Sequence, residues 1–342
     1  MTSQKRSVRL SGLPNSTYIF IIVFVAASII VPLFFTPGNI STLLTQACAL
    51  MLLSTAMSVC LMMGGIDLSL GGVVSMTGVI MAMLLRGGAA PSLAILAGLL
   101  SGMVVGFLNG VVVTRMKVPS FIATFGMGGI AQSIANTLSE KRTVSWAAPT
   151  ETNLLTLLGD NALTVQFGDS AAYTLSISVL LVLTIFIIAV VLLLFYRTTL
   201  GSNTYALGAN EETARLAGIS PNRWKTGIYV GAGFLAAIAG MVLMIRTNSL
   251  QPMIGENLEF QAVVAAVLGG NSLKGGKGSI PGAILGALTL FTVRNAMSLS
   301  GVNTSVVMVV IGCTLIVGMV INEVVQYYAA EKSKARAGIH AL

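Results

Sequence analysis

Histidine is almost absent from this chain: among 342 residues there is one, His340. A single imidazole removes histidine acid–base relays and histidine-ligated metal clusters from consideration. Cysteine is nearly as scarce. Cys48, Cys60 and Cys313 fall in apolar stretches without metal-ligand spacing, so they are expected to be packing residues with no disulfide. Charge is low as well, with Asp, Glu, Lys and Arg at 9% against 55% hydrophobic residues. A water-soluble domain so poor in charge would expose more apolar area than water tolerates. A nucleotide-binding loop is also missing. GGNSLKGGKGS resembles one, but with Gly276–Lys277 as the Gly-Lys pair the leading position is Asn271 and the trailing one Gly278. The motif needs Gly and Ser or Thr there. No nucleophile paired with a base stands out, and no pair of acids, which argues against an intramembrane enzyme.

Long apolar sequence is what the chain has in abundance. Mean hydropathy is +0.90, and runs such as 18–35, 173–196 and 306–321 reach or approach the ~20 residues that cross the hydrocarbon core as a helix. The 37 glycines suit close helix packing in lipid. The expected fold is an all-α membrane protein, a polytopic bundle of about ten transmembrane helices at 17–36, 40–63, 69–85, 92–115, 119–138, 173–196, 225–245, 259–273, 280–297 and 305–325. Those at 69–85, 119–138, 259–273 and 280–297 are short or rich in Gly, and are expected to be tilted, broken or re-entrant. A single membrane domain over 1–342 is expected, with a cytoplasmic N-terminus (1–16), an external loop (139–172), a cytoplasmic coupling loop (197–224) and a cytoplasmic tail (326–342). The first run follows Lys5, Arg6 and Arg9 but exceeds a signal-peptide core and lacks a small-residue cleavage site, so it reads as a retained span.

The net charge of +8 would suit nucleic acid, but its distribution points to the membrane instead. With ten spans and the N-terminus inside, Lys5, Arg6, Arg9, Arg115, Lys117, Arg197, Arg223 and Lys225 all fall on the cytoplasmic side, and Arg86, Lys141, Arg142 and Arg246 on the other. Such an excess orients a protein with its basic loops in the cytoplasm, so both termini are placed there. Arg294 lies near the outer end of its span, where a long side chain snorkels to the interface.

One loop carries most of the chemistry. Between two apolar runs, Asn210 is placed to cap a short helix whose first turn holds Glu211 and Glu212, with Arg215 following and Gly218 as the stop. Acids at a helix start and glycine at its end match the helix dipole and C-cap geometry. A charged, capped helix on a greasy protein reads as a docking element for a soluble partner. In GGIDLSLGG, Gly64 and Gly65 permit a sharp turn, and Asp67 can accept from the backbone N–H of Ser69 or Leu70 as the next helix begins. Buried acids near spans also serve transport cycles, so a cap and a transport role both stand for Asp67. Gln46, Ser58, Thr124, Gln132, Asn136 and Asn295 supply donors and acceptors that could line a pathway for a hydroxyl-rich solute; the same residue types also serve helix–helix hydrogen bonding. Gly98, Gly102, Gly106 and Gly110 form a stripe along one helix face, repeated by Gly278, Gly282 and Gly286, and read as intramolecular packing.

Taken together, GGIDLSLGG (64–72), NGVVVTRMKVPSFIATFGM (109–127), ALGANEETARLAGI (206–219) and the long run from Ser249 to Ala287 resemble the permease subunit of bacterial sugar-importing ABC transporters of the ribose type. The resemblance covers nearly the whole chain; Ala209 and Asn271 stand where the family more often has Gly and Thr. It implies a transport subunit without enzymatic activity of its own, in the bacterial inner membrane, working by alternating access with ATP and Mg on a separate ATPase. That ATPase would seat the coupling helix at 211–218. A second permease subunit and a periplasmic sugar-binding protein would complete the assembly. A rival reading, an ion-coupled secondary transporter of a small polar solute, calls for ionisable groups deep in the spans, where Asp67 and Glu259 alone come near.

Overall fold

The computed structural model describes residues 15–146, 154–167 and 173–303, with isolated helical positions between 306 and 320. Twelve helices are described in these segments: α1 (Asn15–Ile30), α2 (Pro37–Met62), α3 (Leu70–Arg86), α4 (Pro91–Arg115), α5 (Ser120–Leu138), α6 (Leu154–Gly159), α7 (Val179–Arg197), α8 (Thr199–Ala209), α9 (Glu211–Leu216), α10 (Pro221–Thr247), α11 (Leu258–Leu268) and α12 (Ile280–Leu299). Prolines set several starts. Pro37, Pro91 and Pro221 open α2, α4 and α10, and α12 also carries proline in its first turn, where the missing N–H would have no helical partner anyway.

Five helices, α2, α4, α7, α10 and α12, are long and apolar enough to cross a membrane. The expectation of about ten such spans is not met among the described residues. At about 1.5 Å per residue the 11 residues of α11 rise only ~16 Å, about half a hydrocarbon core. The segment 259–273 therefore holds a half-length helix followed by a turn from Gly269 onward. The tenth expected span, 305–325, the tail 326–342 and most of the N-terminal segment 1–16 lie wholly or largely outside the described residues.

The all-α expectation also needs correction at one end of the bundle. β1 (Val144–Ser145) pairs antiparallel with β4 (Ser249–Leu250), and β2 (Asn161–Gln166) with β3 (Thr174–Ser178). β3 occupies the first residues of the expected span at 173–196. Its sequence TLSIS alternates apolar and polar side chains, a strand period, and α7 starts only after Ser178, whose hydroxyl accepts from Leu180 N–H. The expected loop at 139–172 thus contains β1, α6 and β2. The expected coupling loop at 197–224 begins inside α7, carries α8 and runs into α10.

The core forms around α2, α3 and α10. Leu52, Leu53, Met57, Val73, Val79, Ala236 and Met244 are among its fully enclosed side chains. α10 lies antiparallel against α4 through the glycine stripe. A β-carbon at Gly102 would sit 2.6 Å from Gly233 O and one at Gly110 2.6 Å from Thr226 Cα, and at Gly106 it would strike the carbonyl of Tyr229. Gly282 and Gly286 meet Gly269 and Ala265 of the α11 segment in the same way. Both stripes are intramolecular contacts.

Two ends of the bundle matter for function. At the hairpin end lie the starts of α2 and β3, tied by Ser176 N–H donating to Ser41 Oγ (3.0 Å), and the end of α10. At the α9 end lie the close of α2, α8, α9 and the start of α10.

Candidate functional site

The α9 end is built from its caps upward. Asn210 is extended, and its Oδ1 accepts from Thr213 N–H at 2.9 Å. Glu211 and Glu212 occupy the first turn. Gly218 has φ +87°, while Gly218 N–H returns to Arg215 O (3.0 Å) and Ile219 N–H to Ala214 O (3.1 Å). This is a left-handed glycine stop that satisfies two terminal carbonyls. Arg215 Nη2 donates to Glu212 Oε1 at 2.7 Å, and Lys225 Nζ of α10 donates to Glu211 Oε2. Ala214 is buried beneath the helix, whereas Leu216 is 80% exposed. The inner side of α9 is thus fixed to α10, and its outer side presents an apolar knob between charges.

Against α8, two glycine-rich segments, 64–72 and 269–278, meet. Gly276 N–H donates to Met62 O (3.0 Å), and Gly208 of α8 packs against both groups. Gly64 and Gly275 have φ near +82° and +84°, which side chains with a β-carbon adopt only at a cost. Tyr205 Oη of α8 donates to Gly278 O at 2.8 Å. Burial pushes the Tyr205 phenol up to about 12, so this donor stays protonated at cellular pH. Asn271 is completely enclosed: its Oδ1 accepts from Ser58 Oγ (2.8 Å) and Ser279 N–H (3.1 Å), and its Nδ2 donates to Ala266 O (2.7 Å).

Asp67 follows the first glycine turn. Its Oδ1 accepts from Ser69 N–H (2.9 Å) and Ser69 Oγ (2.6 Å), and Asn109 Nδ2 of α4 donates to Ser69 Oγ (2.8 Å). Asp67 is 0% exposed, and its Oδ2, like Asn109 Oδ1, has no hydrogen-bond partner. Leu68 N–H donates to Thr124 Oγ1 (2.9 Å), so the turn is clamped between α4 and α5.

The polar residues singled out as pathway candidates separate on this geometry. Ser58 and Thr124 bond to the glycine turns as described. Gln132 Nε2 donates to Pro252 O (2.7 Å) and approaches Asn136 Oδ1 (3.4 Å), and Asn295 exchanges amide bonds of 2.9 Å with Asn39. Ser58, Thr124, Gln132 and Asn295 thus hold elements together, while Asn136 bonds within α5. Gln46 lines a cavity of about 570 Å³ at the hairpin end. Arg246 and Asp160 line it too, without an ion pair between them. Neither residue is conspicuous in the sequence: they are 86 positions apart, and the packing of α6 on α10 and of β3 on α2 brings them to one cavity. A smaller cavity of about 350 Å³ opens at the α9 end beside Gly65, Lys117, Lys225 and Tyr229. Cys48 and Cys60 are buried, whereas Cys313 is exposed and so is not the packing residue expected; all three thiols are free.

Residues 39–319 match the family described as branched-chain amino acid transport system / permease component. The chain belongs to this permease family. It is 34% identical over 324 residues to the ribose import permease of Bacillus subtilis strain 168, covering 94% of this chain and 96% of that protein. Similarity to the L-arabinose transport system permease of Escherichia coli K12 is 34% over 325 residues, with 91% and 94% covered. The fructose import permease of Rhizobium meliloti is 32% identical over 302 residues, with 87% and 81% covered. The permease is thus a transport subunit and not an enzyme, and its long apolar helices make it a multi-pass membrane protein.

Proposed function

We propose that this permease carries a sugar of pentose or hexose size across the bacterial inner membrane, from periplasm to cytoplasm, as one subunit of an ATP-driven importer. The names of its relatives supply the solute class. The observation that carries the energy source is α9, a capped helix fixed to α10 through Lys225 and Glu211 and presenting exposed Leu216. Such an element suits a groove on a separate ATPase, which would hold ATP and Mg. In this reading both termini and the α9 end face the cytoplasm, following the basic residues, and the hairpin end faces the periplasmic sugar-binding protein. A second permease subunit completes the pathway, which opens alternately to the two sides as the ATPase pair closes and opens. Nucleic acid has no part in it.

Ion-coupled transport is the reading to separate. In cells expressing the complete system, labelled sugar uptake is expected to stop when ATP is depleted and to persist under a protonophore while ATP is maintained. Uptake abolished by the protonophore at normal ATP would overturn the proposal.

A further inference from the structure

We infer that the cavity at the hairpin end is a solute site of the permease itself, taking an uncharged polyhydroxylated molecule between Arg246 and Asp160. This rests on the sugar-import reading and adds a location and a recognition chemistry to it. The cavity of about 570 Å³ falls within the range of small-molecule sites, and a monosaccharide of about a dozen heavy atoms enters it with room for water.

Its lining holds one residue of each charge sign, Arg246 and Asp160, which form no ion pair with each other. A carboxylate accepts from two adjacent hydroxyls and a guanidinium donates a planar fork of N–H groups, so Asp160 and Arg246 offer an acceptor and a donor that suit a polyhydroxylated molecule. Gln46 and Thr45 add an amide and a hydroxyl from α2. Among the described residues no hydrogen bond ties either side chain to the protein, unlike the other five polar span residues described above. Trp146 borders the cavity, and its indole is fixed in place, 3% exposed with Nε1 donating to Met244 O, so it lies at the cavity edge as a reporter of what enters.

An amino acid zwitterion would also match one carboxylate and one guanidinium. The hydroxyl and amide groups at Thr45, Gln46, Asn161 and Ser176 favour the polyol, because a branched apolar side chain would leave them unmatched.

Trp146 is also the reporter. The chain has two tryptophans, and Trp224→Phe leaves Trp146 as the only one. The full-length variant in lipid nanodiscs, without ATPase or binding protein, is titrated with ribose, arabinose and fructose, and with leucine and inorganic phosphate as controls. A saturable fluorescence change with at least one sugar, absent with leucine and phosphate, is expected. Arg246→Gln and Asp160→Asn should each weaken the apparent affinity about tenfold or more, the loss expected for a hydrogen bond to a charged group. No saturable sugar response, a response to leucine or phosphate instead, or sugar binding unchanged in both variants would overturn the inference. Sugar uptake by the complete, unmutated system is measured in parallel. If that uptake stands while nanodisc binding fails, the sugar-import reading survives and this site does not.

Discussion

Replacing Asp67 separates a structural carboxylate from a titrating one. In Asp67→Ala the N–H and hydroxyl of Ser69 lose their acceptor. Loss of a capping side chain costs ~0.5–2 kcal/mol, and a buried donor left without a partner costs ~1–3 kcal/mol more. The two effects overlap on one N–H, so a total of about 2–4 kcal/mol is expected. By the scaling for domains of a few hundred residues that corresponds to a melting temperature lower by on the order of 5–10 °C. Asp67→Asn behaves differently. Its Oδ1 keeps both Ser69 bonds, and its amide nitrogen replaces Asp67 Oδ2, a buried acceptor that has no donor. Asn109 Oδ1, on the neighbouring side chain, also lacks a donor, and an amide N–H₂ at position 67 adds a donor beside that side chain. The Asn variant should therefore melt at or above the parent temperature and retain sugar uptake, while the Ala variant melts lower and loses uptake in proportion to the protein lost. The assay is fluorescence-detected size-exclusion chromatography after a heat ramp, paired with uptake at matched membrane abundance. An Asn variant that is folded at normal temperature yet as inactive as Ala would refute the reasoning, because asparagine differs from aspartate in its inability to titrate.

Two further outcomes follow from the packing. Gly106→Ala should destabilise by ~1–3 kcal/mol, because the added carbon meets the Tyr229 backbone carbonyl, whereas Gly98→Ala meets only the flexible side chain of Met81 and should cost less; melting temperatures of the pair check the order. Lys225→Glu should leave the melting temperature nearly unchanged, since an exposed ion pair contributes at most about 1 kcal/mol, yet reduce ATP-driven uptake; the swap Glu211→Lys with Lys225→Glu should restore it, and an inactive swap with normal membrane abundance would remove the pair from the coupling role.

Local chemistry was the part legible in sequence. Asn210, the acids after it and Gly218 specify a capped helix within a few residues of chain, and α9 forms between them. Asp67 and Ser69 are two positions apart, so their bond could be anticipated. The prolines at helix starts likewise mark their own positions. Tertiary features left weaker traces. TLSIS joins an apolar run without a break, and its pairing depends on the residues of β2, a separate stretch of the sequence. α11 is apolar throughout, so composition could not distinguish its half-length helix from a full span. For the polar span residues the sequence leaves a pathway and helix–helix bonding both open, because glutamine, asparagine and serine suit either purpose, and most of them bond to other elements. Asn271 differs from the residue the resemblance would favour, and its amide bonds Ser58, Ser279 and Ala266 through two separate atoms, Oδ1 and Nδ2.

The glycine seam between α4 and α10 has a mechanical consequence. Side chains usually absorb small displacements between helices by changing rotamer, but at Gly102, Gly106 and Gly110 backbone meets backbone or a β-branched residue with almost no slack. The two helices therefore move as one stiff beam. At about 1.5 Å per residue, the 27 residues of α10 make that beam ~40 Å long. Its near end holds Lys225, joined to α9, and its far end holds Arg246 at the hairpin cavity. A tilt of about 5° around the near end of a rod of that length carries the far end roughly 3.5 Å, comparable to the length of a hydrogen bond. A small push on α9 is thus long-range by leverage alone, and it arrives at the one guanidinium in the cavity lining.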